Sequence, residues 1–417
     1  MTFQERFFQR FPALASRDFA IFWVGQFISL IGSWMQNTTQ PYLAFRLTGR
    51  PLDLGLIGVA ATLPTLILAL PAGVLVEHLD KRKAVIALQT VMMIQALSMA
   101  FLSLSGKIQF WHILALSLLL GAANAIEITA RQAMLIELVG KERLPNAIAL
   151  QSTIFNAARV IGPSLAAPFL IFIKSNGEGW AFLSNGVSYL FVIIGLMFVR
   201  TPFRQQGQPK SSNFFQDLRE GFRYILATPA VSVLILMATL MGLFGFPFSQ
   251  QIPAVARDVL AQIGDSAQSV AFRNSALYTA QGVGALISAI ALAAYTPRRK
   301  GISLTIGQIF FIFGLIAISQ TKSLPLALVW MVILGWGMVT QLAMMNILIQ
   351  LEVPNELRGR VFSTYLWGLQ GVAPFGSLVV GWMAQNWGVS VAALICGLLC
   401  LAALTAMHLN APAIRRA

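Results

Sequence analysis

Residues 139–152, "VGKERLPNAIALQS", form a basic and polar stretch between two long apolar runs. Residues 353–365, "VPNELRGRVFSTY", have the same character and also separate two apolar runs. A second pair of basic stretches, "LDKRKAV" at 79–85 and "TPRRKGI" at 296–302, repeats with a similar spacing. Such matching loops indicate a duplicated chain. Transporters are commonly built from repeats of this kind, with a site between the two halves.

The composition is that of a membrane protein. Hydrophobic residues make up 57% of the 417 residues, charged residues only 11%, and the mean hydropathy is +0.73, whereas a soluble domain carries about 25% charged residues. A spanning helix needs about 20 mostly apolar residues. We identify twelve such runs: 19–43, 54–77, 84–105, 110–138, 146–173, 180–199, 230–252, 271–295, 301–320, 324–350, 360–385 and 388–409. The sequence therefore predicts an all-α integral membrane protein with twelve transmembrane helices in two pseudo-symmetric six-helix bundles.

The longest polar interruption divides the chain. Residues 200–229 are rich in Pro, Gly, Ser and Gln, a composition that favours a linker, here ending in a short surface helix. We predict an N-terminal six-helix bundle at 1–199, a cytoplasmic linker at 200–229 and a C-terminal six-helix bundle at 230–417.

The basic residues are distributed unevenly. Of 29 Lys and Arg, twenty fall in loops on the side of the two termini and seven in loops on the other side. By the positive-inside rule, both termini and the linker are cytoplasmic. This distribution accounts for the net charge of +14 without a nucleic-acid partner. We expect a multi-pass, monomeric protein in a bacterial cytoplasmic (inner) membrane.

Little in the sequence points to catalysis. The three His and two Cys show no metal-ligand spacing, no His, Asp or Cys cluster lies near a membrane face, and no phosphate-binding loop for ATP is present. We expect no enzymatic activity, no cofactor and no metal.

Three charged residues lie well inside predicted spans, away from the span ends. Glu127 is the only acidic residue well inside one, about 16 Å from the cytoplasmic end of its helix, and Arg159 is about 20 Å from the end of the next. Arg131 follows Glu127 by one turn. A charge at such a depth costs at least about 2.5–3.5 kcal/mol, so these groups should be paired and face a cavity.

Two pairings of Glu127 remain open. Arg131 follows it at the favourable i,i+4 spacing, which would suit a purely structural pair. Arg159 lies at similar depth, with Asn156 one turn before it as a hydrogen-bonding neighbour. An arginine keeps its proton, so Arg159 either holds Glu127 ionised or attracts an anionic substrate group. Glu127 is the candidate for proton coupling.

The second half has no charge at comparable depth. Its polar residues Gln341, Asn346 and Gln370, together with Trp34 and Gln36 of the first half, are candidates for a substrate cavity, although ordinary helix packing would also explain each one.

The sequence resembles the major facilitator superfamily over nearly its whole length. Within it, the chain is similar to the branch of enterobactin-type siderophore exporters and macrolide-efflux proteins. The stretches that carry the resemblance are "RDFAIFWVGQFISLIGSWMQ" (17–36), "LTGRPLDLGLIGVAATLPTLILALPAGVL" (47–75), "RQAMLIELVGKERLPNAIALQS" (131–152) and "NELRGRVFS" (355–363). The resemblance implies secondary active transport of a small molecule across the bilayer by alternating access.

Two shorter matches suggest moving parts. "GVLVEHLDKRK" (73–83) is similar to the family's loop after the second helix, although Glu77 replaces the usual Asp, and implies a cytoplasmic gate. The gating candidates are Gly73, Glu77, Asp80, Lys81, Arg82, Lys83 and Arg131. "RVIGPSLAAP" (159–168) resembles the helix-5 motif of antiporters. There Pro163 bends the helix and Gly162 allows close helix approach, either as a rocking hinge or as a static kink.

These features favour a proton-coupled exporter of a small amphipathic molecule, such as a siderophore or a drug-like compound. An importer or lipid flippase of the same fold is an alternative, since only direction and cargo differ. A membrane scaffold that transports nothing is a further alternative.

Overall fold

A computed structural model of the chain describes residues 11–77, 79–173, 175–201, 214–295, 297, 299–354 and 357–410. Side chains at 69–70, 73–74, 77, 214–218, 221, 358–359 and 407–410 lie outside this description. The described residues contain helices and no strand. The long helices are α1 (Arg17–Thr48), α2 (Pro51–Glu77), α3 (Lys81–Leu104), α4 (Phe110–Phe172), α5 (Gly177–Phe198), α6 (Phe214–Ala227), α7 (Pro229–Leu240), α8 (Ala267–Ala294), α9 (Lys300–Gln320), α10 (Leu324–Glu352), α11 (Arg358–Leu366), α12 (Ala373–Trp387) and α13 (Val389–Asn410).

Ten helices or helical runs in the described residues are long and apolar enough to cross a membrane. The longest of them, α4, covers two predicted spans and bends at Gly140, whose φ of 74° and ψ of 166° are non-helical. Glycine adopts this conformation without the penalty that a Cβ imposes. The eleventh predicted span is also helical, but it is divided into α11, a π turn at Trp367–Gly371 and α12. The prediction of an all-α membrane protein with twelve spans is confirmed.

The chain packs as two compact units. Unit 1 comprises Met1–Leu43 and Ile67–Gln208, and unit 2 comprises Ala44–Leu66 and Pro209–Ala417. The division thus falls within α1 and α2. The sequence-based domain boundaries at 199/200 and 229/230 stay a prediction.

Unit 1 has an apolar core between α1 and the first part of α4. Phe19 and Phe22 of α1 are fully buried with Met134 of α4. Polar contacts fix the ends of this core, since the Ala13 amide donates to Asn146 Oδ1 at 3.1 Å and Trp23 Nε1 donates to the Leu150 carbonyl at 3.2 Å.

Unit 2 depends on close approach of α8 and α10. A Cβ on Gly284 would overlap the carbonyl oxygen of Val332, and a Cβ on Gly335 would overlap the carbonyl oxygen of Gln281. Small residues at such crossings allow membrane helices to pack backbone against backbone. Ser288 and Thr340 extend the same interface with a buried hydroxyl–hydroxyl hydrogen bond of 2.7 Å.

Candidate functional site

Glu127 lies deep inside unit 1, on the first part of α4. It is thirteen residues before the bend at Gly140, or about 20 Å along the helix. Its exposed fraction is 3%. Gln89 of α3 donates to Glu127 Oε1 at 3.0 Å, and Arg131 Nε donates to Oε1 at 3.1 Å and to Oε2 at 3.3 Å. The structure therefore brings Glu127 and Arg131 together as an ion pair within one helix, with the Nε–H shared between the two carboxylate oxygens.

Both described partners of Glu127 are hydrogen-bond donors. A carboxylate group accepts hydrogen bonds through both of its oxygens, so the contacts with Gln89 and Arg131 match its bonding capacity.

Arg159 lies on the second part of α4, with an exposed fraction of 7%. Its guanidinium carbon is 5.3 Å from the ring centroid of Trp34 on α1, within the range of a cation–π contact. The same indole meets the ring of Phe155 edge-on, with centroids 5.6 Å apart at 71°. Phe155 is 45% exposed. These three side chains form a cation–aromatic group, with its outer ring accessible.

Asn156 is buried and lies near this group in sequence, but its side chain bonds to its own helix. Its amide donates to the Ser152 carbonyl at 2.8 Å.

The predicted hinge follows on the same helix. A Cβ on Gly162 would stand 2.8 Å from the Ile31 carbonyl oxygen and 2.9 Å from the Met35 amide nitrogen, both on α1. Gly162, followed by Pro163, thus sits at a tight crossing of α1 and α4.

Gln36 belongs to a buried amide network between four helices of unit 1. Its nitrogen donates to Gln40 and Gln95, each at 3.1 Å, and its oxygen accepts from Asn185 at 2.7 Å. Gln40 in turn donates to Ser117 Oγ at 2.6 Å. The amide nitrogen and oxygen of Gln36 thus both have protein partners. Contact of Gln36 with a substrate stays a prediction.

The candidates in unit 2 lie in different surroundings. Gln341 is buried, and its amide nitrogen lies 3.5 Å from Met241 Sδ. Asn346 accepts a hydrogen bond from Gln350 of the same helix. Gln370 is exposed, in the π turn Trp367–Gly371. Within the described part of unit 2, these three residues are placed on two different helical segments and are not gathered by any described contact.

The basic stretch at residues 80–83, which caps and begins α3, makes contacts within unit 1. Asp80 caps α3, since its Oδ1 accepts from the Lys83 amide at 3.1 Å. Lys81 is buried and pairs with Glu137 of α4. Arg82 Nη2 donates to the Met197 carbonyl at 2.8 Å.

That bond places a cation at the C-terminal end of α5, where the helix dipole favours positive charge. Gly73 and Glu77 lie in α2, but their side chains are outside the described residues.

Two residues of the site escaped the sequence reasoning. Gln89 and Thr90 are the polar residues of the otherwise apolar run "AVIALQTVMMI" (84–94), which was a usable signal, but the partner of Gln89 depends on how α3 and α4 are rotated. Phe155 precedes Arg159 by one turn and could have been associated with it by spacing alone. No group of three or more His, Cys, Asp or Glu that could hold a metal occurs in the ranges that the structure describes.

Comparison with known proteins gives consistent matches over the full fold. A family model described as "Transmembrane secretion effector" matches residues 9–415. Among curated relatives, the chain is 23% identical to the multidrug efflux pump Tap of Mycolicibacterium fortuitum, covering 84% of this chain and 85% of that protein. It is 22% identical to macrolide efflux protein A of Streptococcus pyogenes (92% and 94%). It is 24% identical to the enterobactin exporter EntS of Salmonella typhimurium (85% and 82%).

Solved structures share the fold at low sequence identity. A bacterial homologue of the human lysosomal transporter Spinster, inward-facing and occupied, matches with a TM-score of 0.70 at 16% identity, over 97% of this chain and 98% of that one. The nucleoside transporter NupG matches with a TM-score of 0.67 at 11% identity, over 94% and 98%.

Proposed function

This chain belongs to the transmembrane secretion effector family of the major facilitator superfamily, a family of transporters, and we propose that it is a proton-coupled exporter. Its cargo is a small amphipathic molecule, of the siderophore or drug-like kind. It acts as a monomer in a bacterial cytoplasmic membrane by alternating access, with both termini inside. The relatives whose names state an efflux function support the direction of transport.

The buried carboxylate of Glu127 carries the proposal of proton coupling. It lies within a membrane span, is 3% exposed and is held by two donors. Proton uptake neutralises the acidic partner of the pair and weakens the contact with Arg131. Arg131, which is 21% exposed at its side chain, is then released to solvent or to a new partner. Loss of the proton restores the pair, so the cycle has two states that differ by one proton.

The cation–aromatic group supports the type of cargo. Phe155 and Trp34 offer apolar ring surface, and Arg159 adds a charge that no accessible pH removes. An amphipathic molecule with an apolar body and an anionic or strongly accepting group matches this combination. The buried position of Arg159 strengthens its attraction for such a group, because screening by water is weak there.

The gating proposal concerns Asp80, Lys81, Arg82 and Lys83. Asp80 caps α3, Lys81 pairs with α4, and Arg82 bonds to the end of α5. A stretch held by these contacts moves together with unit 1. Gly162 and Pro163 are the proposed hinge on the second part of α4.

The experiment uses the full chain in inside-out vesicles with an imposed pH gradient. Erythromycin, enterobactin and ethidium serve as probes, because the relatives include macrolide, siderophore and multidrug exporters. We expect gradient-driven accumulation of at least one probe by the wild type. Glu127→Gln, which mimics the protonated state, should reduce accumulation to the level without a gradient and leave probe binding intact.

Glu352→Gln is the matched control, since Glu352 is exposed at the end of α10. It should transport like the wild type. Gradient-dependent transport by Glu127→Gln at the wild-type rate would place the coupling group elsewhere in the chain.

A further inference from the structure

A small cavity lies inside unit 2, where α7, α9, α10 and α13 meet. Its volume is about 20 Å³, and its polar and sulfur-bearing lining consists of Met237, Met241, Gln308, Gln341 and Cys400. A single water requires about 10–15 Å³ of such space. The cavity therefore has room for one water molecule.

Gln308 presents an unsatisfied polar group in the lining of this cavity. The residue is 4% exposed, and its Nε2 donates to Met237 Sδ at 3.2 Å. Its Oε1 has no hydrogen-bond partner among the described residues. Exchanging the amide oxygen and nitrogen would leave the NH₂ group unsatisfied instead. In either orientation one polar group of Gln308 lacks a protein partner, which is costly in a membrane interior.

Two other lining residues supply further hydrogen-bonding capacity. Gln341 is buried, and the contact of its Nε2 with Met241 Sδ is 3.5 Å long. Its NH₂ group has two N–H donors, so this contact occupies only one. The Cys400 thiol adds a weak donor and acceptor. A buried water needs two to four polar partners, and the cavity offers three.

We propose that this cavity holds one ordered water molecule, which donates to Gln308 Oε1 and is shared with Gln341 and the thiol of Cys400. Empty cavities in proteins are lined by apolar groups, whereas this lining carries two amides. The water joins α9, α10 and α13 beside Met241, the first residue of the π turn Met241–Gly245. It gives these helices a hydrogen-bond partner that can be exchanged when the π turn shifts.

The direct test is a structure of the full chain in lipid, at a resolution that shows ordered waters elsewhere in the membrane-embedded core. We expect a density peak at about 2.7–3.2 Å from Gln308 Oε1. In a structure of Gln308→Met, which removes the amide at similar side-chain length, this peak should be absent. A wild-type cavity without density, or a protein donor on Gln308 Oε1, would overturn the proposal.

A second test compares two serine substitutions one helical turn apart. Cys400 lines the cavity, whereas Cys396 is fully buried in the apolar core of unit 2. Cys396 is buried and Cys400 only partly so, so the comparison is made in the wild type and again with Gln308→Met, which removes the water. We expect Cys400→Ser to leave the Tm near that of the wild type and to lower it more in the Gln308→Met chain, whereas the loss from Cys396→Ser should be the same in both. A Cys400→Ser effect that is the same in both chains would contradict a hydrated cavity.

Discussion

The two units of the molecule satisfy their buried polar groups in different ways. In unit 1 the carboxylate of Glu127 is held by Arg131 and Gln89 deep in the membrane span. In unit 2 the buried amides of Gln308 and Gln341 contact methionine sulfurs. Deep in its span, the first unit thus holds a charged pair, whereas these two amides of the second unit contact weak acceptors.

The helices of the two units differ as well. Unit 2 contains three π turns, at Met241–Gly245, Val255–Val259 and Trp367–Gly371. The part of unit 1 that the structure describes contains none. π turns are rare and are often found at functional sites. The proposed coupling residue Glu127 thus belongs to unit 1, whereas the π turns of the described residues belong to unit 2.

The largest effect should come from separating the charges of unit 1. Arg131→Met leaves Glu127 buried without its cationic partner. Breaking a fully buried pair costs roughly 3–5 kcal/mol; because Arg131 is 21% exposed, we expect the free energy of unfolding to fall by about 2 kcal/mol. Glu127→Gln in the same chain should recover most of this loss, since the remaining partner is then neutral.

The measurement for this pair is denaturation in bicelles, with Gln341→Met in unit 2 as the comparison. That substitution removes a neutral contact and should cost less than about 1 kcal/mol. If Arg131→Met proves as mild as Gln341→Met, the contrast between the units fails, and Glu127 takes its stabilisation from other groups.

An effect of comparable size should come from the glycine crossing of unit 2. Gly284→Ala forces a methyl group against the carbonyl oxygen of Val332, which is backbone and cannot rotate away. Overpacking of this kind costs about 1–3 kcal/mol. Gly195→Ala in unit 1 is the control, because its Cβ would stand 3.3 Å from Ile21 Cγ2 and 3.5 Å from the Ile21 carbonyl oxygen, much farther than the contact at Gly284. Thermal denaturation of both variants should rank Gly284→Ala as the less stable. The reverse order would mean that α8 and α10 separate easily.

The smallest effect concerns pH and a loop outside the membrane spans. The hydrogen bond from Arg273, together with the Gln262 amide, lowers the pKa of Asp265 below its usual value of 3.8. A carboxyl whose folded pKa is depressed stabilises the protein above the unfolded pKa, and this contribution disappears as the pH falls through the folded pKa. Asp265→Asn should therefore lower the Tm slightly at neutral pH, with the two Tm curves converging below pH 3.8. A constant offset at all pH values would show that ionisation is not involved.

Much of the fold was predictable because long apolar runs leave few alternatives in a membrane. The exceptions are backbone details. Residues 139–145 were expected to connect two helices; the connection is a kink at Gly140, whose φ and ψ are non-helical, and helical residues follow it directly. The π turn at Trp367–Gly371 has no signal in an apolar sequence, because it depends on packing and not on periodicity.

The depth of the candidate site residues in the membrane was predictable, but the partners that their side chains face were not. Counting residues gave the depth of Glu127 and left Arg131 and Arg159 as possible partners. The structure describes bonds from both Arg131 and Gln89. The i,i+4 spacing indicated the first bond. The second depends on the relative rotation of α3 and α4, which side-chain packing determines. Gln36 shows the same limit, since its periodicity fits a cavity wall as well as the amide network in which it lies.

The division of the chain within α1 and α2 has a consequence for fragment complementation. Residues 44–66 pack with unit 2, where the fully buried Gln251 donates to the Pro51 carbonyl at 3.2 Å and Arg257 donates to the Gly49 carbonyl at 3.2 Å. Gly55 and Gly381 also meet backbone to backbone. A fragment that starts at residue 230 lacks this helical hairpin and exposes the surfaces that it covers. A fragment that ends before residue 230 and a fragment that starts there should thus be stable only when they are produced together. The first fragment then provides residues 44–66, which pack with the second.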